Sequence, residues 1–597
     1  MFYARHLWHP YRTQPLVAIS SFLAIAGIFS PLALASSQQL PAKICQVGIP
    51  GITGVSRLGT AKADWLVGGK DNDYLNGYAS SDRLYGGMGG DRLFGGHGND
   101  WLDGGHGNDR LFGGSGSDLL FDRNGNNRFD GGSGRDLLAG GRGEDILIDR
   151  DGGDRLLGGS GKDEFWIGHG SFGPTEIIDF QVGRDRLKLL DANISYDKLQ
   201  LRDRQNRAVI TYQGRTLAVL NRVKSERLTR DRFDFGNAKL AQELQTTIDR
   251  VVKTSGTPGA TAFVTMPDGT TWMGAAGLSN LQARTAMKAS DRFNIASITK
   301  GFVATVVLQL VREGKLSLND TLGKWLPSIA NSIPNGRQIT VLQLLAHTSG
   351  INDYFEEGLL RDLAANPSLG LKSWTLQELL SRYIYGKPAK FPPSKGYYYS
   401  NTNYFLLGKI IETATHTSLA EQFQSRIFEP LGMTDSFYTN PTQVPGGITH
   451  GYVEVNNDGK IDLNVDIDST RINLLGIQGP AGGIVSTAAD LDRFTRTLLD
   501  GELLPPGSFK QMVTEAYPGT GIGLGIACGL LPNGEPVLGA SGGGLGWAGK
   551  IAYLPQSGIT VSVLTNAYSL PTEPDRKLLF GIFDAIAKNF PSAPKTP

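Results

Sequence analysis

From Asp64 onward the chain repeats itself every nine residues, and few patterns restrict a fold so severely. Aspartate or asparagine recurs at Asp64, Asp73, Asp82, Asp91, Asp100, Asp109, Asp118, Asn127, Asp136, Asp145, Asp154 and Asp163. Two residues after each stand Leu66, Leu75, Leu84, Leu93, Leu102, Leu111, Leu120, Phe129, Leu138, Leu147, Leu156 and Phe165. Glycine pairs precede most of the aspartates, as at Gly86-Gly87, Gly95-Gly96, Gly104-Gly105 and Gly113-Gly114. Glycine accounts for 79 of 597 residues, and its concentration between Gly68 and Gly168 sets this stretch apart from the rest. A short fixed period means a solenoid, in which each unit buries its apolar residue only against its neighbours. A flexible glycine-rich linker would not hold the leucines in phase.

The chemistry of the spacing points to a cation. Glycines permit tight turns that bring carbonyl oxygens inward, and each aspartate adds a hard anionic oxygen ligand suited to calcium. Without cations the stacked carboxylates repel, so folding is expected to require the metal. The pattern G-G-x-G-x-D-x-U-x over Asp64 to Gly168 resembles the repeats-in-toxin family. That resemblance implies an all-β parallel roll holding structural Ca²⁺, with Asp73, Asp91, Asp100, Asp109, Asp118, Asp136, Asp145, Asp154 and Asp163 as ligands. Registers in which Asp71 and Ser80 replace the mid-turn glycine, or Asp122-Arg123 and Asp149-Arg150 replace Gly-Gly, are expected to make poorer sites. His97 and His106 fall at the variable position and read as exposed turn residues. Glu176–Phe180, Gly183–Leu189 and the alternating runs Ala208–Tyr212 and Thr216–Leu220 read as a β-rich cap. The roll is assigned to 61–168 and the cap to 169–235.

The formal charge is +1, which excludes nucleic-acid binding driven by bulk charge. Arg5 and Arg12, an apolar run from Leu16 to Leu34, and Ala33-Leu34-Ala35 read as a signal peptide over 1–35, followed by a linker over 36–60. The alternative is an uncleaved anchor. The mature protein is therefore expected to be secreted, extracellular or periplasmic. Cys45 and Cys528 lie far apart, in segments of different character, and read as unpaired.

From Ala238 the composition is that of a mixed globular domain. Leu240–Lys253 has the apolar spacing of an amphipathic helix, and strands are expected at Ala260–Val264 and Thr271–Gly274 around the turn Pro267-Asp268-Gly269. Phe293-Asn294-Ile295-Ala296-Ser297-Ile298-Thr299-Lys300 then leads into an apolar helical run. Ser297 sits at a helix N-terminus, where free N–H groups and the dipole favour developing negative charge. Lys300, three residues on, projects from the same face. A serine hydroxyl needs a neighbour to take its proton, and a desolvated lysine can do so. Ile339–Gly350, containing His347-Thr348-Ser349-Gly350, reads as a helix ending on a glycine. Tyr399-Ser400-Asn401 stands at a loop-to-helix junction and offers a phenol and an amide.

In this order, and with Gly482-Gly483-Ile484-Val485-Ser486-Thr487 further on, these boxes resemble the serine hydrolases of the class C β-lactamase, D-alanyl-D-alanine carboxypeptidase and esterase type. The resemblance spans about Ala238 to Asn589, and the domain is assigned to 238–590. It implies an α/β fold with an antiparallel sheet flanked by helices and a helical subdomain. It makes Ser297 the acyl-forming nucleophile, gives Lys300 and Tyr399 the proton transfers, and sets Asn401 against substrate or lysine. Which of Lys300 and Tyr399 is the base stays open. His347 is given a structural role.

The family's third box is where the sequence departs. In Gly539-Ala540-Ser541-Gly542-Gly543, Ala540 stands where a basic or histidine residue is expected, while Ser541 and Gly542 fit. Gly543 is placed to join Ser297 in the oxyanion hole. The replaced side chain normally helps hold a substrate carboxylate, which Lys395 or Lys550 could supply instead. Esters and neutral or D-amino amides therefore rise above β-lactams and cell-wall peptides as substrates. A DD-carboxypeptidase or β-lactamase, and a catalytically silent binding protein touching a cell surface or matrix through its roll, are the alternatives. No catalytic cofactor is expected. The same stretch satisfies G-x-S-x-G, but strands rather than a helix are expected after it, so it is set aside as a nucleophile elbow.

Overall fold

The computed structural model describes residues 53–589 apart from 61, 169–171, 454–461, 468–472, 532–533 and 570–571. The apolar run Leu16–Leu34 and Cys45 lie outside these residues.

The nine-residue repeats form a parallel roll in which two repeats make one coil. Strands pair in parallel with those 18 positions away, as in Leu75 with Leu93 and Leu84 with Leu102. Alternate repeats therefore feed two facing sheets. The leucine and phenylalanine ladders from Leu75 to Phe165 meet between them and are fully buried. Each such side chain is worth about 2 kcal/mol of burial, and a small second cluster of Ile148, Trp166 and Leu190 lies outside the ladder. The turn between sheets needs the second glycine of each pair. Gly96 sits at φ 104°, and a Cβ there would collide with the Tyr78 carbonyl.

The segment beyond the repeats extends the roll. Thr175–Ile177 and Arg186–Leu189 add in parallel to the two sheets. The strands Leu199–Arg204, Arg207–Tyr212 and Arg215–Asn221 form an antiparallel meander on one sheet, and Phe233–Phe235 closes the other.

The C-terminal region is a seven-stranded antiparallel sheet between helical layers. Its strands are β1 (Gly259–Thr265), β2 (Thr271–Asn280), β3 (Thr285–Ala286), β4 (Ala527–Leu530), β5 (Pro536–Gly544), β6 (Trp547–Leu554) and β7 (Ile559–Thr565). Their order is β3-β2-β1-β7-β6-β5-β4. Helix α1 (Ala238–Ser255), capped by the Asn237 side chain, shares a core on one face with a C-terminal helix (Pro574–Asn589). The other face carries α2 (Thr299–Arg312), α3 (Asn401–Thr415) and α4 (Ala488–Asp500) in a larger core. Two strands follow β5, so Ser541 lies within a sheet and not on a strand-to-helix elbow.

Two expectations are corrected. The helix expected over Ile339–Gly350 is only Val341–Leu345, because His347 turns back at φ 56°. Cys528, on β4, is disulfide-bonded and not free.

The roll lies against the C-terminal region along several coils. Asn76 donates to the Glu502 carbonyl at 3.0 Å, Arg493 pairs with Asp151 at 3.2 Å, and Lys188 reaches the Asp268 carbonyl at 2.6 Å. The Ala192 N–H meets the Thr271 carbonyl at 2.9 Å, so the cap runs on into the edge of β2.

Candidate active site

Ser297 occupies a single 3-10 turn, Ala296–Ile298, that runs directly into α2. The turn is held on one side by the two-residue pairing of Phe293-Asn294 with Val485-Ser486. On the other side β5 approaches closely enough that a Cβ on Gly542 would strike the Ile295 carbonyl and the Ser297 N–H. Glycine at 542 thus lets the strand lie against the nucleophile's backbone. Ala296, just before the serine, is at φ 45°, a left-handed conformation that costs an alanine about 1–2 kcal/mol. Such strain concentrates at sites whose geometry the surroundings impose.

Two expected residues reach Ser297 directly, and a third, Asn401, holds one of them. Tyr399 donates to Oγ at 2.8 Å, and Lys300 Nζ lies 2.9 Å from the same oxygen. Lys300 also donates to Asn401 Oδ1 at 2.9 Å and to the Ala481 carbonyl at 2.7 Å. The amide of Asn401 cannot be reversed, because its Nδ2 donates to Asp353 Oδ2 at 2.8 Å. The Asn401 N–H and the Phe355 N–H also donate to Asp353, which is 1% exposed. Asp353 therefore fixes Asn401, and Asn401 fixes Lys300.

The electrostatics follow from burial. Lys300 is 3% exposed, and desolvation brings its ammonium down to about 7, opposed by the negative charge of Asp353. Asp353 is itself raised to about 6 by burial, with its backbone hydrogen bonds opposing. Tyr399 is pushed well above the ordinary phenol value, chiefly by burial. Near neutrality the lysine can therefore give up its proton while the tyrosine keeps its own. A neutral lysine has two N–H donors and one lone pair. Asn401 Oδ1 and the Ala481 carbonyl can only accept, so they take both N–H groups and leave the lone pair facing the Ser297 hydroxyl.

His347 stands behind this group. Its Nδ1 accepts from the Ser400 N–H at 3.1 Å and its ring lies 4.4 Å from that of Tyr399. Burial holds it well below its ordinary value, so it stays a neutral support. On β5, Ser541 pairs across the sheet with Lys550 and Gly543 with Ala548. Lys550 is committed to Asp575 at 3.3 Å, and Lys395 is exposed. Asp353 and the Ala481 carbonyl were not legible in the sequence. The only signal for the first was its place three residues past the His-Thr-Ser-Gly box.

In the roll, nine of the repeat aspartates turn one carboxylate oxygen to the backbone and leave the other buried without a partner. Asp91 Oδ1, for example, accepts the Asp73 N–H at 2.7 Å. Oδ2 is orphaned at Asp82, Asp91, Asp100, Asp109, Asp118, Asp136, Asp145, Asp154 and Asp163. A Cβ on Gly86 would collide with both Asp91 Oδ2 and the Gly104 carbonyl, and Gly95 repeats this with Asp100 and Gly113. Carboxylate and carbonyl oxygens thus share a small cradle, which fits a calcium ion. Burial raises Asp91 to about 7 and Asp118 to about 8 without one. Two adjustments to the expected ligands follow. Asp73 is satisfied by the Val55 and Gly69 N–H groups, whereas Asp82, not expected because of Ser80, is arranged like the others. Among the described residues no group of three or more histidine, cysteine or carboxylate side chains that could hold a metal ion occurs.

A serine at a helix N-terminus, met by lysine, tyrosine and asparagine beside an antiparallel strand, defines an acyl-transferring type of serine hydrolase site. The Beta-lactamase family model matches residues 244–580, and the chain belongs to that family. The RTX calcium-binding nonapeptide repeat model matches four times, over 58–93, 85–120, 112–147 and 130–165. Esterase EstB of Burkholderia gladioli is 32% identical over 34% of this chain and 53% of its own. Penicillin-binding protein 4* of Bacillus subtilis (strain 168) is 31% identical over 39% and 50%. The chain thus spans about half the length of these two relatives. A D-stereospecific amidohydrolase structure from Streptomyces sp. superposes with a TM-score of 0.50 and 29% identity, covering 57% of this chain and 98% of its own.

Proposed function

We propose that this protein is an exported, calcium-loaded serine hydrolase that acts on carboxylic esters or neutral and D-amino amides through an acyl-serine intermediate. The observation that carries the reaction is the commitment of both Lys300 N–H groups to acceptors that cannot donate. The lone pair takes the Ser297 proton as Oγ bonds to the substrate carbonyl carbon. The oxyanion is received by the N–H groups of Ser297 and Gly543. The proton then passes by way of Tyr399 to the departing alcohol or amine as its bond to the acyl carbon breaks. Water, deprotonated by the same pair, attacks the acyl-serine and restores the hydroxyl.

The substrate class rests on β5. Ala540 offers no charge, and Lys550 beside Ser541 is paired with Asp575, so nothing there favours a substrate carboxylate. EstB is an esterase by name and the Streptomyces neighbour a D-stereospecific amidohydrolase, which supports the same two bond types. Export is inferred from the run Leu16–Leu34. The roll agrees with it, since such modules load at the calcium levels found outside cells. There the aspartates Asp82 to Asp163 would hold calcium, which neutralises their charge and takes no part in the chemistry.

A panel tests this directly. The full chain in calcium should hydrolyse a short-chain p-nitrophenyl ester and a D-phenylalanine amide faster than a penicillin or a D-alanyl-D-alanine peptide. The reverse order would overturn the substrate assignment.

A further inference from the structure

For most repeat aspartates the oxygen that faces the orphaned carboxylate comes from a glycine carbonyl thirteen residues on: Gly104 for Asp91, Gly113 for Asp100, Gly131 for Asp118 and Gly158 for Asp145. Twice that position holds an aspartate, and the two cases differ. Asp149, the partner position of Asp136, has both oxygens consumed. They accept the Gly152 N–H at 2.6 Å, the Asp154 N–H at 3.1 Å and the Thr175 hydroxyl at 2.9 Å. Asp122, the partner position of Asp109, uses only Oδ1, which takes the N–H groups of Arg123 and Asn124. Its Oδ2 is buried with no partner, as is Oδ2 of Asp109. The residues are 4% and 1% exposed. A Cβ on Gly104 would collide with both of these oxygens at once, so the two carboxylates converge on one glycine-lined space.

We propose that Asp109 and Asp122 form a two-carboxylate calcium site, at the register where the repeat pattern itself is broken and an aspartate supplies the oxygen that a glycine carbonyl supplies in most turns. Two buried carboxylates this close cannot both stay charged without a counter-ion. Each is anchored by backbone N–H groups through its other oxygen, so neither can swing away. A hard dication with flexible oxygen coordination satisfies both. Most other turns pair one carboxylate with a carbonyl, whereas this space, like the one at Gly131 where Asp136 Oδ2 and Asp154 Oδ2 meet, offers two full charges, and calcium affinity rises with the number of charged ligands. The site sits in the middle of the array, so its ion orders the central coils, from which neighbours can propagate.

The test is calorimetric titration of the full, chelator-stripped chain with calcium chloride, beside Asp122→Asn, Asp122→Gly and Asp149→Asn. Asp122→Gly restores the residue that the repeat ordinarily carries, so it should fold when calcium is saturating, as judged by far-ultraviolet circular dichroism. Both Asp122 variants should bind one equivalent at least tenfold more weakly than the wild type and keep the others, and Asp149→Asn should bind as the wild type does. Superimposable wild-type and Asp122 isotherms, or a variant that takes its first calcium more tightly than the wild type, would overturn the site. So would the same one-equivalent weakening in Asp149→Asn, because Asp122 would then not be its source.

Discussion

The two halves of the molecule bury charge in opposite ways. In the roll, nine repeat aspartates each carry an orphaned oxygen. In the cleft, the buried ammonium of Lys300 meets three oxygens of the protein itself. An uncompensated buried ion costs several kcal/mol, more than the roughly 2 kcal/mol that one leucine of the ladder returns. On the proposed calcium loading, the roll is a structure completed from solution. The cleft is complete in itself, and spends its burial on lowering one pKa.

Calcium removal should break this comparison most visibly. Chelation is expected to abolish the roll's β-sheet signal while the helices of the C-terminal region persist, as followed by circular dichroism and limited proteolysis. A roll that stays protected without calcium would contradict the account. Next in size is the joint between the halves. Arg493 donates to the Leu431 carbonyl and pairs with Asp151 of the roll. With Arg493 part-buried, Arg493→Ala should cost about 2 kcal/mol. Calcium-loaded protein should then unfold in two steps in place of one, and an unchanged melting profile would show the contact to be idle.

The smallest effect sharpens the cleft. Lys300 must be neutral to accept the Ser297 proton, so kcat/KM should rise with pH through about 7 and level off above it. Asp353 holds the lysine's pKa up by its charge. Asp353→Asn should therefore move the acidic limb to lower pH. It should also reduce kcat about tenfold, close to 1.4 kcal/mol, through looser positioning of the base. An acidic limb that does not move would remove Lys300 as the titrating base.

What could be read in advance followed the range of the interactions. The roll is built from contacts between residues 9 and 18 apart, so its strands and leucine ladder were visible as a period. The exceptions were local substitutions whose outcome depends on a distant partner. Asp149 is tied by Thr175, Asp122 is not, and nothing at either position alone says so. In the hydrolase region Ser297, Lys300, Tyr399 and Asn401 stood in recognisable boxes, and the structure brings them within hydrogen-bond reach. Asp353 was invisible because its importance lies in two N–H groups 48 residues away. The short helix before His347 ends for a similar reason, since the ring must turn to reach Ser400.

The central claim is that Ser297 carries the acyl group. Rapid quenching of the calcium-loaded chain during turnover of a p-nitrophenyl ester, followed by peptide mass mapping, tests it most directly. The account predicts one acyl mass on the peptide containing Ser297, absent from Ser297→Ala together with turnover. An adduct on Ser541, or full turnover by Ser297→Ala, would contradict it.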